Sequence, residues 1–234
     1  MTKEIYISDD MIQKIQKFDS IIFDCDGVLV DIRNSYDNAI NKTISAIMNE
    51  LFDDNISDIV NSKILYGLKA AGGFNDEVAV VYAVVMTLVA SKKSNLKFEK
   101  IIIDVIDNAN ESGINSIDNY FINQNIDLKE IKLKLDYENS RKISYIHRIF
   151  NQLFYGPVLY EEIFNEKSQF SEKPLIDLDD IVLDDNLMSK LKTRFGNKIS
   201  TVTGRGNFAF SYSMKNFLNN FDMKNSVFLE DRPL

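Results

Sequence analysis

Short apolar runs bounded by polar residues lie near both ends of the chain, and between them apolar positions recur every three or four residues. Three runs have the length and borders of buried parallel strands: Ser20–Phe23 leading into Asp24, Lys198–Val202 ending at Thr203, and Ser226–Leu229 ending at Glu230. The periodicity between the first two predicts helices over Ser35–Phe52, Asp76–Lys92, Phe98–Asn110 and Ser140–Phe154. Tyr36, Ile40, Ile44 and Ile47 share one face of the first of these. Pro157, Pro174 and the DLDDIVLDD run from Asp177 to Asp185 interrupt the helical region late, which reads as the return to the sheet. Helices near Asn186–Arg194 and Asn207–Asn219 flank the second strand, so strands and helices alternate there. The predicted fold class is α/β, a parallel sheet core with a large α-helical insertion. The predicted division is 1–32 with 187–234 as core, and 33–186 as helical cap.

Composition narrows the chemistry. With 234 residues, 45% of them hydrophobic, the chain can bury a substantial core. A balance of 35 acidic against 27 basic residues, net charge −8, disfavours a generic hold on nucleic acid or on an anionic membrane surface. A small-molecule substrate is the better expectation. One cysteine, Cys25, excludes an internal disulfide, and a single histidine, His147, leaves little material for a zinc site. The polar start of the chain does not read as a signal peptide, and the most apolar stretch, Val78–Ala90, is too short for the roughly 20 residues of a membrane span. The expected compartment is the cytoplasm, and Val78–Ala90 is expected to be a buried helix.

The segment IIFDCDGVLVD, Ile21–Asp31, carries the chemistry. Side chains two apart on an extended chain point the same way, so Asp24 and Asp26 should leave the carboxyl end of a strand together, where ligands of open α/β sheets bind. Gly27 permits the sharp turn that follows. Two carboxylates this close repel, and a hard divalent cation such as Mg²⁺ would relieve the repulsion while orienting a phosphate. One acid could attack phosphorus, and the other could protonate the leaving oxygen.

FDCDGVLVD resembles the first motif of the haloacid dehalogenase (HAD) superfamily, whose members place a nucleophile and a general acid/base two residues apart. The resemblance implies Asp24 as nucleophile, Asp26 as acid/base, and both as ligands of Mg²⁺. STVTGRGN, Ser200–Asn207, resembles the second motif and implies Thr203 and the Gly204 amide as holders of the transferred phosphoryl group. A helical insertion between these motifs is similar to the cap of the superfamily's first subfamily, in its phosphatase branch. Ser35–Ile44 and Lys69–Glu77 are similar to elements of a small subgroup, which implies Lys69, Gly72, Gly73 and Asn75 in a cap loop facing the active site. A Gly-Gly loop that merely ends one helix before the next begins accounts for the same residues. His147, Tyr36 and Arg33 are candidate cap contacts, with a structural or solvent-facing role the better expectation for each.

The resemblance implies a Rossmann-like core and hydrolysis of a small organic or sugar phosphate, of the kind phosphoglycolate phosphatases act on. The third-motif lysine and the fourth-motif acidic pair are not both found. SVFLEDRPL, Ser226–Leu234, resembles the strand just before that lysine, which implies a chain that stops short of both motifs. A rival alignment makes Glu230 and Asp231 the acidic pair, with Lys215 or Lys224 as the lysine. Asp26 argues against a dehalogenase, where that place usually holds an aromatic residue. A phosphomutase of the same superfamily, or a noncatalytic binding module with the same fold, is the alternative function; neither the substrate nor the oligomeric state is encoded legibly.

Overall fold

The computed structural model describes residues 8–137 and 144–231. In chain order the helices and strands are α1 Asp9–Ile15, β1 Ile21–Phe23, β2 Val30–Asp31, α2 Arg33–Phe52, α3 Ser62–Ala70, α4 Glu77–Ser94, α5 Phe98–Asn108, α6 Ile114–Asn123, α7 Lys129–Leu135, α8 Tyr145–Phe164, β3 Asp180–Ile181, α9 Asp185–Phe195, β4 Ile199–Thr201 and α10 Asn207–Ser213. They divide into two compact units, Met1–Ile32 with Asp179–Leu234, and Arg33–Leu178. The return to the first unit thus comes at Asp179, ahead of the expected residue 187.

In the first unit, β1 and β4 run parallel with Ile21 opposite Ile199, Ile22 opposite Ser200 and Phe23 opposite Thr201. The pairing continues one residue further through the Val202 amide, which donates to the Phe23 carbonyl at 2.9 Å. On the other side of β4 the expected third strand shrinks to a single bridge between Val202 and Val227. The reason is local. The Leu229 amide turns away to donate to the Arg205 carbonyl, and the Asp231 carboxylate takes the Phe228 amide, so the chain curls into a short 3₁₀ turn over Leu229–Asp231. The parallel sheet among the described residues is therefore two-stranded, smaller than the Rossmann-like core expected. A separate antiparallel pair joins β2 to β3.

The sheet's supporting core gathers Cys25, Leu29, Val30, Ile199, Phe210 and Phe228, with the Phe210 ring 5.4 Å from those of Phe221 and Phe228. α9 begins at the Asp184 side chain, which accepts from the Leu187 amide at 2.7 Å, and carries Lys192 and Arg194 in its last turn, where cations suit the helix dipole. Arg194 also donates to the carbonyls of Gln16 and Phe18 at 2.7 and 2.9 Å, tying down the chain after α1. The helix expected over Asn207–Asn219 stops at Ser213 and resumes only as a 3₁₀ turn at Leu218–Asn220.

The second unit is helical, built around α4. Every residue from Val78 to Ala90 is buried, because α2, α5, α6, α7 and α8 all pack against this helix. A helix apolar on all sides belongs in such a position. No helix among the described residues is long and apolar enough to cross a membrane. α2 buries Ala39, Ile40, Ile44, Ile47 and Met48 and packs on α4 and α8; Tyr36 joins them, its ring 4.8 Å from that of Phe154. α8 extends ten residues past its expected end to Phe164 but breaks at Gly156, just before Pro157, where the backbone leaves helical geometry. Its expected start at Ser140 lies outside the described residues. Three short helices of this unit, α3, α6 and α7, lie where the periodicity predicts none, as does α1 in the first unit.

Candidate active site

β1 delivers Asp24, and the next residues form a tight turn. The amides of Val28, Leu29 and Val30 converge on the Cys25 carbonyl at 3.1, 2.8 and 3.1 Å, and Gly27 adopts φ +79°, a conformation that disfavours other residues. Cys25 points into the core and is fully buried, whereas Asp24 is exposed and Asp26 half-buried. The two acids therefore flank a residue that faces inward, and Asp26 senses the charge of Asp24. Burial pushes the Cys25 thiol far up, which makes it inert as a nucleophile. The Cys25 amide donates to Asp24 Oδ1 at 2.7 Å, and Oδ2 accepts nothing among the described residues.

Asp26 is engaged by a residue the sequence reading passed over. Arg205 is 2% exposed, and its Nη1 donates to Asp26 Oδ1 at 2.8 Å. Its Nη2 donates to the carboxylate of Asp179 and, at 2.8 Å, to Ser213 Oγ; that hydroxyl in turn donates to Asp179 Oδ2 at 2.6 Å. Burial raises the Asp26 pKa, Arg205 pulls it back down, and the charges of Asp179 and Asp24 push it up again; the net displacement is upward. A carboxyl that holds its proton more tightly than usual suits a proton donor.

The second motif sits beside the first by register. Thr203 follows β4 just as Asp24 and Asp26 follow the adjacent parallel β1, so all leave the sheet at the same, carboxyl, end. Arg205, two residues beyond Thr203, closes the distance by touching Asp26. Thr203 is 5% exposed; its Oγ1 accepts the Arg205 amide at 3.0 Å and its own amide donates to the Val227 carbonyl at 3.0 Å. Gly204 is exposed, and its amide has no acceptor among the described residues.

The other candidates have local partners. Lys69, at the end of α3, pairs with Glu77 Oε1 at 3.1 Å; burial raises the Glu77 pKa against the pull of that lysine. Asn75 is exposed, and its amide reaches the Gly72 carbonyl only at 3.5 Å, the limit of a hydrogen bond. Gly73 has a packing reason: a Cβ there would stand 2.4 Å from both the Asn110 carbonyl oxygen and the Gly113 amide nitrogen. Gly73→Ala is expected to destabilise by about 1–3 kcal/mol, read as a lowered urea midpoint, since backbone rather than a flexible side chain is in the way. His147 Nδ1 lies 2.6 Å from Ser144 Oγ and its ring stacks on Tyr137, which accounts for it within the helical unit.

The rival fourth-motif acids serve the backbone. Glu230 accepts the Asn207 amide at 3.0 Å and Asp231 the Phe228 amide at 2.8 Å. No three His, Cys, Asp or Glu residues gather as a metal-binding group among the described residues. The donors left over at Asp24 and Asp26 are nonetheless of the right kind for Mg²⁺, which is commonly held by one or two carboxylates, with water and substrate phosphate supplying the rest.

No family model matches the chain, and no curated protein does. Two solved structures do. Phosphatase Tt82 from Thermococcus thioreducens is 20% identical with a TM-score of 0.60, over 91% of this chain and 73% of that one. The Northeast Structural Genomics Consortium target ZR25 is 16% identical with a TM-score of 0.65, over 92% of this chain and 70% of that one. At these identities the likeness establishes a shared fold.

Proposed function

We propose that this chain is a Mg²⁺-dependent phosphomonoester hydrolase of the HAD type, acting on a small organic or sugar phosphate. The observation that carries the reading is the pair Asp24 and Asp26 flanking the buried Cys25 beyond β1, with Asp26 held by buried Arg205 and the adjacent strand ending at Thr203 and Gly204. The fold shared with a phosphatase supports it.

In this reading the free Oδ2 of Asp24 attacks phosphorus, forming an aspartyl phosphate as the bond to the ester oxygen breaks. Asp26 gives its proton to that departing oxygen, which leaves as an alcohol. The resulting Asp26 carboxylate then removes a proton from water as the water oxygen attacks phosphorus; the Asp24–phosphorus bond breaks, inorganic phosphate leaves, and both acids return to their starting states. The Thr203 hydroxyl and the Gly204 amide hydrogen-bond the phosphoryl oxygens. Asp24 and Asp26 are the residues that would hold Mg²⁺, which when bound offsets phosphate charge and orients the ester.

The test is phosphate release from a panel of small phosphomonoesters, 2-phosphoglycolate included, with Mg²⁺ and again after chelation. Turnover of at least one ester that chelation abolishes is expected. Turnover insensitive to chelation would remove the metal from the reading, and none at all across the panel would remove the hydrolase.

A further inference from the structure

Asp26 acts best as acid and base when one of its oxygens is held in place while the other stays open to the ester. In the structure only Oδ1 is engaged by a described residue, and the donor is a guanidinium that cannot move independently. Arg205 is fully enclosed, and its second arm is gripped by Asp179 and Ser213, which are also bonded to each other. These two come from separate places in the chain: Asp179 stands just before β3, where the chain re-enters the first unit, and Ser213 ends α10. Asp179 is itself 3% exposed at its side chain, so its charge is shielded from solvent where it meets the guanidinium. A surface ion pair would adjust as its partners moved; a buried, three-membered one has a single arrangement.

We propose that Asp179 and Ser213 are positioning residues, which lock the Arg205 guanidinium so that it fixes Asp26 Oδ1 and presents Oδ2 for proton transfer. The inference rests on the hydrolase reading above. Neither residue touches substrate, so their loss acts through the placement of Asp26. A misplaced proton donor matters most when the leaving group is a poor one: an alkoxide needs the proton as the ester bond breaks, whereas p-nitrophenolate departs without it.

The experiment compares kcat and KM of wild type, Asp179→Asn and Ser213→Ala on 2-phosphoglycolate and on p-nitrophenyl phosphate. Asp179→Asn keeps the shape and one hydrogen-bond acceptor while removing the charge. The expected result is a fall in kcat of roughly 10- to 100-fold on 2-phosphoglycolate with KM little changed, and a much smaller fall on p-nitrophenyl phosphate. Ser213→Ala should show the same selectivity more weakly. In an Asp26→Asn background, Asp179→Asn should have little further effect on 2-phosphoglycolate, because the two act in series. Equal losses on both esters, or additive losses in the double variant, would mean a structural role and overturn the proposal. If wild type turned over neither ester, or if Asp24→Asn matched it, the hydrolase reading itself would fall and the proposal with it.

Discussion

Asp24→Asn should reduce kcat for phosphomonoester hydrolysis by on the order of 10⁴-fold or more while leaving the fold intact, the size of loss seen when an enzyme loses its nucleophile. The separation of the two effects follows from the local structure. Asp24 is exposed, and its one described contact is the Cys25 amide at 2.7 Å, which an asparagine Oδ1 accepts equally well. What asparagine cannot supply is a second, unengaged anionic oxygen, since its amide nitrogen carries no lone pair fit to attack phosphorus. Phosphate release and an unfolding curve on the same preparation check both halves, and wild-type protein quenched during turnover should carry one phosphoryl group on the peptide containing Asp24. Equal turnover by the variant would end the nucleophile assignment.

Asp24 was within reach of the sequence because its placement depends on a handful of consecutive residues. An apolar triplet, an alternation of acid, apolar residue and acid, then a glycine are enough to set the strand and the turn at Gly27. α2 and α4 were legible for a similar reason, one by its striped face and the other by a run of apolar residues longer than a strand. Helices α6 and α7 escaped because each buries only an i, i+4 pair of large apolar residues, Ile117 with Phe121 and Ile131 with Leu135, a signal too brief to separate from loop. α3 is similar, with Ile64 and Leu68, although its start is marked by Asn61, whose side chain accepts from the amides of Lys63 and Ile64. The third strand failed for the opposite reason: SVFLE has strand composition, but pairing is decided by neighbours, and here the Arg205 carbonyl and the Asp231 carboxylate take the amides that a ladder would have used. Arg205 was the costlier omission. In STVTGRGN it reads as a loop residue expected in solvent, and its partner Asp179 is one of five acids in the Asp177–Asp185 run, nothing in which marks it as the buried one. A buried arginine is specified by two distant acids at once, which no local pattern displays.

Arg205→Met should destabilise the protein by about 3–5 kcal/mol, the cost typical of removing one partner from a buried ion pair. The methionine fills much of the volume, so the penalty is electrostatic: Asp179, 3% exposed at its side chain, loses the guanidinium its carboxylate contacts. Asp26, at 27%, can recruit water and contributes less. That asymmetry predicts which second change repairs the first. Asp179→Leu in the Arg205→Met background removes the buried charge that has lost its guanidinium and should restore a large part of the lost stability, because apolar residues of similar size commonly replace buried ion pairs without penalty. Asp26→Asn in the same background should restore less. Denaturant midpoints at neutral pH for the single and double variants distinguish these outcomes. A midpoint for Arg205→Met equal to that of wild type would show that the guanidinium is not enclosed between its two acids. Recovered stability in Arg205→Met/Asp179→Leu should come without recovered turnover, since what holds Asp26 Oδ1 is still missing.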